Sequence, residues 1–114
     1  ILAFFGTKLA RLVAAGLPEE HVVLDPGIGF GKRPEHNLAI LRQLDRFAVL
    51  GRPVYLGLSN KSFFGALLDL PVGERTQATA LASALCSARG ARIHRVHAVA
   101  PVKMALRLAA SLAA

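Results

Sequence analysis

His21-Val22-Val23-Leu24-Asp25-Pro26-Gly27-Ile28-Gly29-Phe30-Gly31-Lys32 is the stretch that decides the fold. A short apolar run without alternation ends in an aspartate and passes into a glycine-rich loop. Such a run suits a strand buried on both faces, as in a parallel sheet. Helical patterns lie on either side of it. Upstream, Leu2 to Ala15 reads as an amphipathic helix with Leu2, Phe5, Leu9, Leu12 and Val13 inward, stopped by Gly16 and Pro18. Downstream, Pro34 suits the first turn of a second helix. That helix is expected to run to about Leu50, with Leu38, Leu41, Leu44 and Phe47 inward, and to close at Gly51 and Pro53.

The unit then recurs. Pro53 to Leu58 reads as the next buried strand, Gly57 to Ser62 as a polar turn and Phe63 to Leu68 as a short helical segment. Pro71 and Gly73 mark a break. An Ala-rich helix is expected over roughly Glu74 to Arg89, with Gly90 as its stop. Arg92 to His97 reads as a third strand, and Pro101 to Leu112 as a final helix. Strands alternating with helices imply an α/β chain with a parallel sheet. A barrel and an open doubly wound sheet both fit this order, and both place ligands at the carboxyl ends of the strands. A complete eightfold barrel needs roughly 250 residues, and the chain has 114. A start at Ile1 inside a helical pattern leads to the expectation of a fragment: one domain over residues 1–114, without linker or low-complexity segment.

Composition narrows the function classes. The hydrophobic fraction of 54% is high for a soluble chain. Charges and prolines nevertheless interrupt every apolar stretch well short of the ~18–20 residues that span a bilayer. Lys8 and Arg11 likewise interrupt the apolar start, against a signal peptide. Neither membrane nor nucleic acid is expected as a partner. The net charge of +7 is spread over single Lys and Arg residues, without a basic block or interleaved aromatics. An anionic small molecule accounts for it more simply. Cys86, the single cysteine, allows no intrachain disulfide, fits a reducing compartment and reads as a small core residue.

Three strand ends carry candidate chemistry. After the first, the glycine loop lacks the spacing of a P-loop, because Pro26 and Arg33 stand where Gly and Ser or Thr belong. It is also not G-x-G-x-x-G. Asp25 can accept paired N–H donors of a ligand while the glycines let the backbone come close; the plain alternative is a flexible turn with an Asp cap. Phe30 offers a flat surface, or simply packs. After the second strand stands Gly57-Leu58-Ser59-Asn60-Lys61-Ser62. Lys61 is placed to donate into a site, against the alternative of a solvated turn lysine. Ser59 and Ser62 can cap the following segment or bond a ligand. At the third, Arg95-Val96-His97 puts Arg95 and His97 on one face, where together they make an anion clamp. His21, His36 and His94 lack such a setting and read as structural or surface residues. No His, Cys and carboxylate cluster shows metal-ligand spacing.

These three segments, in this order and spacing, closely resemble the dihydropteroate synthase family. The resemblance implies that the chain is the C-terminal portion of a TIM-type (β/α)8 barrel, with three parallel strands and flanking helices. It implies condensation of 6-hydroxymethyl-7,8-dihydropterin pyrophosphate with p-aminobenzoate to 7,8-dihydropteroate and pyrophosphate, and a sulfonamide target. By position, Asp25, Gly57 and Lys61 would bind the pterin. Phe30, Ser59 and Lys61 would border the p-aminobenzoate, and Arg95 and His97 would bind the pyrophosphate. Asp25, Lys61, Arg95 and His97 form the implied catalytic set. The resemblance further implies Mg2+, with its protein ligand outside these residues, a cytoplasmic setting and a homodimer. Two positions depart from the family: Asn60 stands where many members carry Arg, and Ala98 where a member often has Asp. A pterin-dependent methyltransferase with a related barrel is the alternative enzyme; a catalytically silent, self-associating half-barrel is the non-enzymatic one.

Overall fold

The structure, a computed structural model, describes residues 1–31, 33–59 and 61–113, apart from the side chain of Phe63. Lys32 and Asn60, both noted in the motifs above, lie outside the described residues. Five α-helices frame a small parallel sheet: α1 (Leu2–Ala14), α2 (Pro34–Arg42), α3 (Ser62–Leu68), α4 (Thr76–Ala88) and α5 (Val99–Leu112). Strand β1 (Val54–Leu56) pairs in parallel with β2 (Ala91–His94). A third extended segment joins β1 through a single parallel bridge, Leu24 to Val54.

The expected first strand, over residues 21–25, is thus corrected to one bridge. The reason is a proline. Leu24 N–H donates to the Pro53 carbonyl at 2.9 Å, and Tyr55 N–H donates to the Leu24 carbonyl at 2.8 Å. The next rung would need an N–H from Pro53, which has none. Arg52 substitutes: its Nε donates to the Val22 carbonyl and its Nη2 to the Glu20 carbonyl, both at 2.9 Å. Before that point the chain turns through a 3-10 segment, Glu19–His21.

The expected long second helix also divides. Its α-helical part ends at Arg42, and Leu44–Leu50 continues as 3-10 helix. Leu41, Leu44, Phe47 and Leu50 recur at a strict spacing of three, the 3-10 period rather than 3.6. That spacing keeps Leu41, Leu44 and Phe47 all in the core. In α2 the fully buried residue besides Leu41 is Asn37, while Leu38 is half-buried. In α1 only the Leu2, Phe5 and Leu9 side is sheltered; Leu12 and Val13, expected inward, are exposed. Phe5 meets Phe47 with ring centroids 5.8 Å apart.

The core gathers Ile28, Leu44, Phe47, Val54, Leu56, Leu58, Phe64 and Ala91. Alternate β1 residues, Val54 and Leu56, are fully buried, and Leu58 carries the burial into the loop beyond. Cys86 belongs to this core, 5% exposed, and burial pushes its thiol up to about 11. His94 is half-buried, with no hydrogen-bond partner on Nδ1 among the described residues; desolvation holds it below the ordinary histidine value. The radius of gyration is 14.8 Å, against about 13 Å for a compact domain of this length. The parallel pairing turns the strand ends to one side. No helix among the described residues is long and apolar enough to cross a membrane.

Candidate active site

Every predicted site residue follows a strand or the bridge. Asp25 follows the Leu24 bridge directly; Gly57, Ser59 and Lys61 follow β1; Arg95 and His97 follow β2, which stops at His94. The parallel register aligns these ends, with Leu56 opposite His94. Arg95 N–H donates to the Leu56 carbonyl at 2.9 Å, so pairing holds one residue past the strand. Beyond that rung Arg95 and His97 are exposed and Val96 is half-buried. This is the alternation that the sequence predicts for a clamp.

The glycine loop has a defined shape. Gly27, Gly29 and Gly31 take φ values of 72°, 85° and 64°, the left-handed region that glycine alone enters freely. The Asp25 Oδ1 accepts the Gly27 N–H at 2.9 Å, closing a local turn. Asn37 Oδ1 accepts the Gly29 N–H at 3.1 Å from a side chain only 2% exposed. Asn37 is the residue that the motifs did not reveal. Its trace in the sequence is a polar residue at the i position of the apolar stripe Asn37, Leu41, Leu44.

Lys61 joins two halves of the site. Its stem crosses Gly29, where a Cβ would fall 3.0 Å from the lysine Cδ. Its Nζ sits 4.0 Å from the centroid of the Phe30 ring, a cation–π distance. Phe30 itself is 63% exposed, so the ring and the ammonium form an open surface rather than core packing. Burial lowers the Lys61 pKa; the Arg95 charge lowers it further, and the Asp25 carboxylate works in the opposite direction. Lys61 therefore feels both charges across the strand ends.

On the other side of Lys61 is a cavity of about 330 Å³ bounded by Gly57, Ser59, Lys61, Arg95, Val96 and His97. The Arg95 guanidinium lies across Gly57; a Cβ there would stand 2.7 Å from one guanidinium nitrogen. The face of Gly57 that the resemblance gives to the pterin is thus covered by Arg95. Ser59 does not cap α3, nor does Ser62: the capping position is Lys61, without a side-chain bond. The Ser59 hydroxyl instead meets His97 Nδ1 at 2.6 Å and accepts the His97 backbone N–H at 3.0 Å.

Arg95, His97 and Lys61 line one wall with donors, and Asp25 is the one carboxylate among the predicted site residues. That balance suits an anion next to a ring that carries N–H donors. It does not suit a divalent cation. Among the described residues no group of three or more His, Cys, Asp or Glu is gathered to hold a metal, and Asp25 already spends Oδ1 on Gly27. The described residues do not form a magnesium site.

The chain is similar to known proteins. A family model described as pterin binding enzyme matches residues 1–97. Dihydropteroate synthase of Haemophilus influenzae is 39% identical over 108 residues, covering 95% of this chain and 39% of that protein. The inactive dihydropteroate synthase 2 of Mycobacterium tuberculosis is 42% identical over 102 residues, covering 90% of this chain and 32% of that protein. The crystal structure of dihydropteroate synthase from Xanthomonas albilineans in complex with 7,8-dihydropteroate superposes with a TM-score of 0.94 at 33% identity, over 99% of this chain and 45% of that one. The chain thus spans about a third to somewhat under half of the length of these relatives. A family model that spans most of its length shows that the chain belongs to the pterin-binding enzyme family.

Proposed function

We propose that residues 1–114 are the C-terminal half of a (β/α)8 barrel whose whole protein is a dihydropteroate synthase. The observation that carries this reading is the pairing of a guanidinium, an imidazole and an ammonium around one cavity, beside an exposed carboxylate and a glycine loop. The reaction needs those two ends. The C–O bond between the pterin methylene and the pyrophosphate breaks, the pyrophosphate keeping the electron pair. Positive charge builds on the methylene and ring. Asp25, placed near the ring, stabilises it, and Arg95 and His97 take up the charge of the departing anion by electrostatic preorganisation. The neutral amine of p-aminobenzoate forms the new C–N bond and loses a proton to solvent, so no strong general base is required. Lys61 lies between the ends, where it reaches both the pterin and the aminobenzoate border formed with Phe30 and Ser59. Magnesium, where the reaction uses it, would be held by residues outside this chain.

The test is substitution in the full-length protein that carries these residues. Lys61→Ala and Arg95→Ala should each lower turnover by at least ~10²-fold, the scale of electrostatic groups. Near-normal activity in both would sink the assignment. Methyl transfer from a methyl-folate, without pyrophosphate release, would instead identify the related methyltransferase.

A second reading has its own support. The match to an inactive relative is as strong as that to active ones, and the chain by itself brings only part of a barrel. On this reading the isolated chain is catalytically silent; product formed by these residues alone would overturn it. We place the whole protein in the cytoplasm and expect a homodimer. Leu81 and Leu85 on α4, with Met104, Leu108 and Leu112 on α5, form exposed apolar stripes at i, i+4 spacing on two helices that pack together. A monomer in sedimentation at micromolar concentration would remove the homodimer.

A further inference from the structure

We propose that Ser59 is a positioning residue for the anion end of the site, acting through His97. The proposal rests on the functional reading above only for the identity of the anion. Two contacts carry it. The Ser59 Oγ accepts the His97 backbone N–H at 3.0 Å and meets the His97 ring Nδ1 at 2.6 Å. The partners lie 38 residues apart in sequence and follow neighbouring strands. The bond therefore ties the loop after β1 to the loop after β2.

The proton arrangement follows from the donors available. A hydroxyl has one proton and two lone pairs. One lone pair is used by the His97 N–H, which directs the remaining proton and lone pair toward the ring. If the ring is neutral and Nδ1 accepts from the hydroxyl, the ring proton is on Nε2. If the ring is cationic, Nδ1–H donates to the hydroxyl and Nε2 again carries a proton. In both states Nε2 is a donor, and it is the nitrogen that Ser59 leaves free. The neutral form with a bare Nε2 is the one an anion beside the ring disfavours. The serine thus fixes the orientation of the imidazole, and an anion at the wall shared with Arg95 selects the form whose Nε2 donates.

This supplies what Ala98 does not. An acid at position 98 could orient the ring, and an alanine cannot. The hydroxyl reaches the same ring from the opposite strand end. It also moves the role of Ser59: a residue holding His97 affects the leaving group, whereas one that only borders the aminobenzoate affects that substrate's binding.

The experiment uses the full-length protein carrying these residues and two readouts. The first is calorimetric titration with inorganic pyrophosphate. Ser59→Ala should weaken binding about tenfold, the worth of one positioned hydrogen bond. Ser59→Thr, which keeps the hydroxyl, should restore most of it. In a His97→Gln background Ser59→Ala should have no further effect. Equal losses in both backgrounds would show that the serine acts independently of His97 and would overturn the proposal. The second readout is steady-state kinetics. Ser59→Ala should lower kcat by a larger factor than it raises the KM for p-aminobenzoate; a raised KM at constant kcat would overturn it. If no pteroate forms but pyrophosphate still binds and still depends on Ser59 through His97, the functional reading falls and this one stands.

Discussion

Replacing Gly57 with alanine should separate folding from anion binding. Gly57 is fully buried at the carboxyl end of β1, and it is not among the glycines with positive φ. Its backbone therefore accepts an alanine. The added Cβ would stand 2.7 Å from a guanidinium nitrogen of Arg95, and 3.3 Å from both Cζ and Nε. Those atoms are the far end of a flexible, exposed side chain, so Arg95 gives way at about 0.5–1.5 kcal/mol of rotamer cost. Loss of glycine freedom in the unfolded chain returns about 0.4–1 kcal/mol. The two nearly cancel, and stability should change by less than about 1 kcal/mol. Displacing the guanidinium removes a charged hydrogen bond to the anion, worth about 1.5–3 kcal/mol. That corresponds to a roughly 10- to 150-fold weaker Kd for pyrophosphate. Urea denaturation and calorimetric titration of Gly57→Ala in the full-length protein measure the two quantities. Wild-type affinity for pyrophosphate, or a loss of several kcal/mol in stability, would refute the reasoning.

Three further predictions follow from the same contacts. Lys61 should titrate below the ordinary lysine value of 10.5, because burial and Arg95 oppose its charge; NMR of ¹³C-methylated lysines would read this directly. The sign for stability is set by that direction: the unfolded chain holds the proton more tightly, so raising the pH toward 10.5 should relieve the folded state at this residue. Arg52→Met should cost about 1–3 kcal/mol by denaturation, since the Val22 and Glu20 carbonyls lose their donors. Cys86, 5% exposed with its thiol raised to about 11, should react with thiol reagents only as the protein unfolds, so labelling and denaturation midpoints should coincide.

The site was more legible in the sequence than the fold around it. Asp25 ends an apolar run, Lys61 stands shortly beyond another, and Arg95 and His97 alternate with Val96 after the last strand, and the parallel order alone brings these ends to one side. Strand length was not legible. Val22 and Val23 look like strand, yet Pro53 removes the rung they would share, a fact that belongs to the partner segment. The 3-10 stretch was written in the threefold spacing of Leu41, Leu44, Phe47 and Leu50, where the apolar pattern alone suggests an unbroken α-helix. The Ser59–His97 contact spans 38 residues and depends on register, which periodicity does not encode. Asn37 was readable only as an interruption of an apolar stripe, and its role appears once the Gly29 N–H is seen to need an acceptor.

On the proposed function, the full-length protein holds a pterin pyrophosphate by its two ends and releases the pyrophosphate before the amine attacks. The most direct measurement supplies the full-length protein carrying these residues with 6-hydroxymethyl-7,8-dihydropterin pyrophosphate and p-aminobenzoate, and quantifies both products. The account predicts one pyrophosphate for each 7,8-dihydropteroate, with both falling together in Arg95→Ala. Absence of pteroate from the wild-type protein, or pteroate formation undiminished in Arg95→Ala, would contradict it.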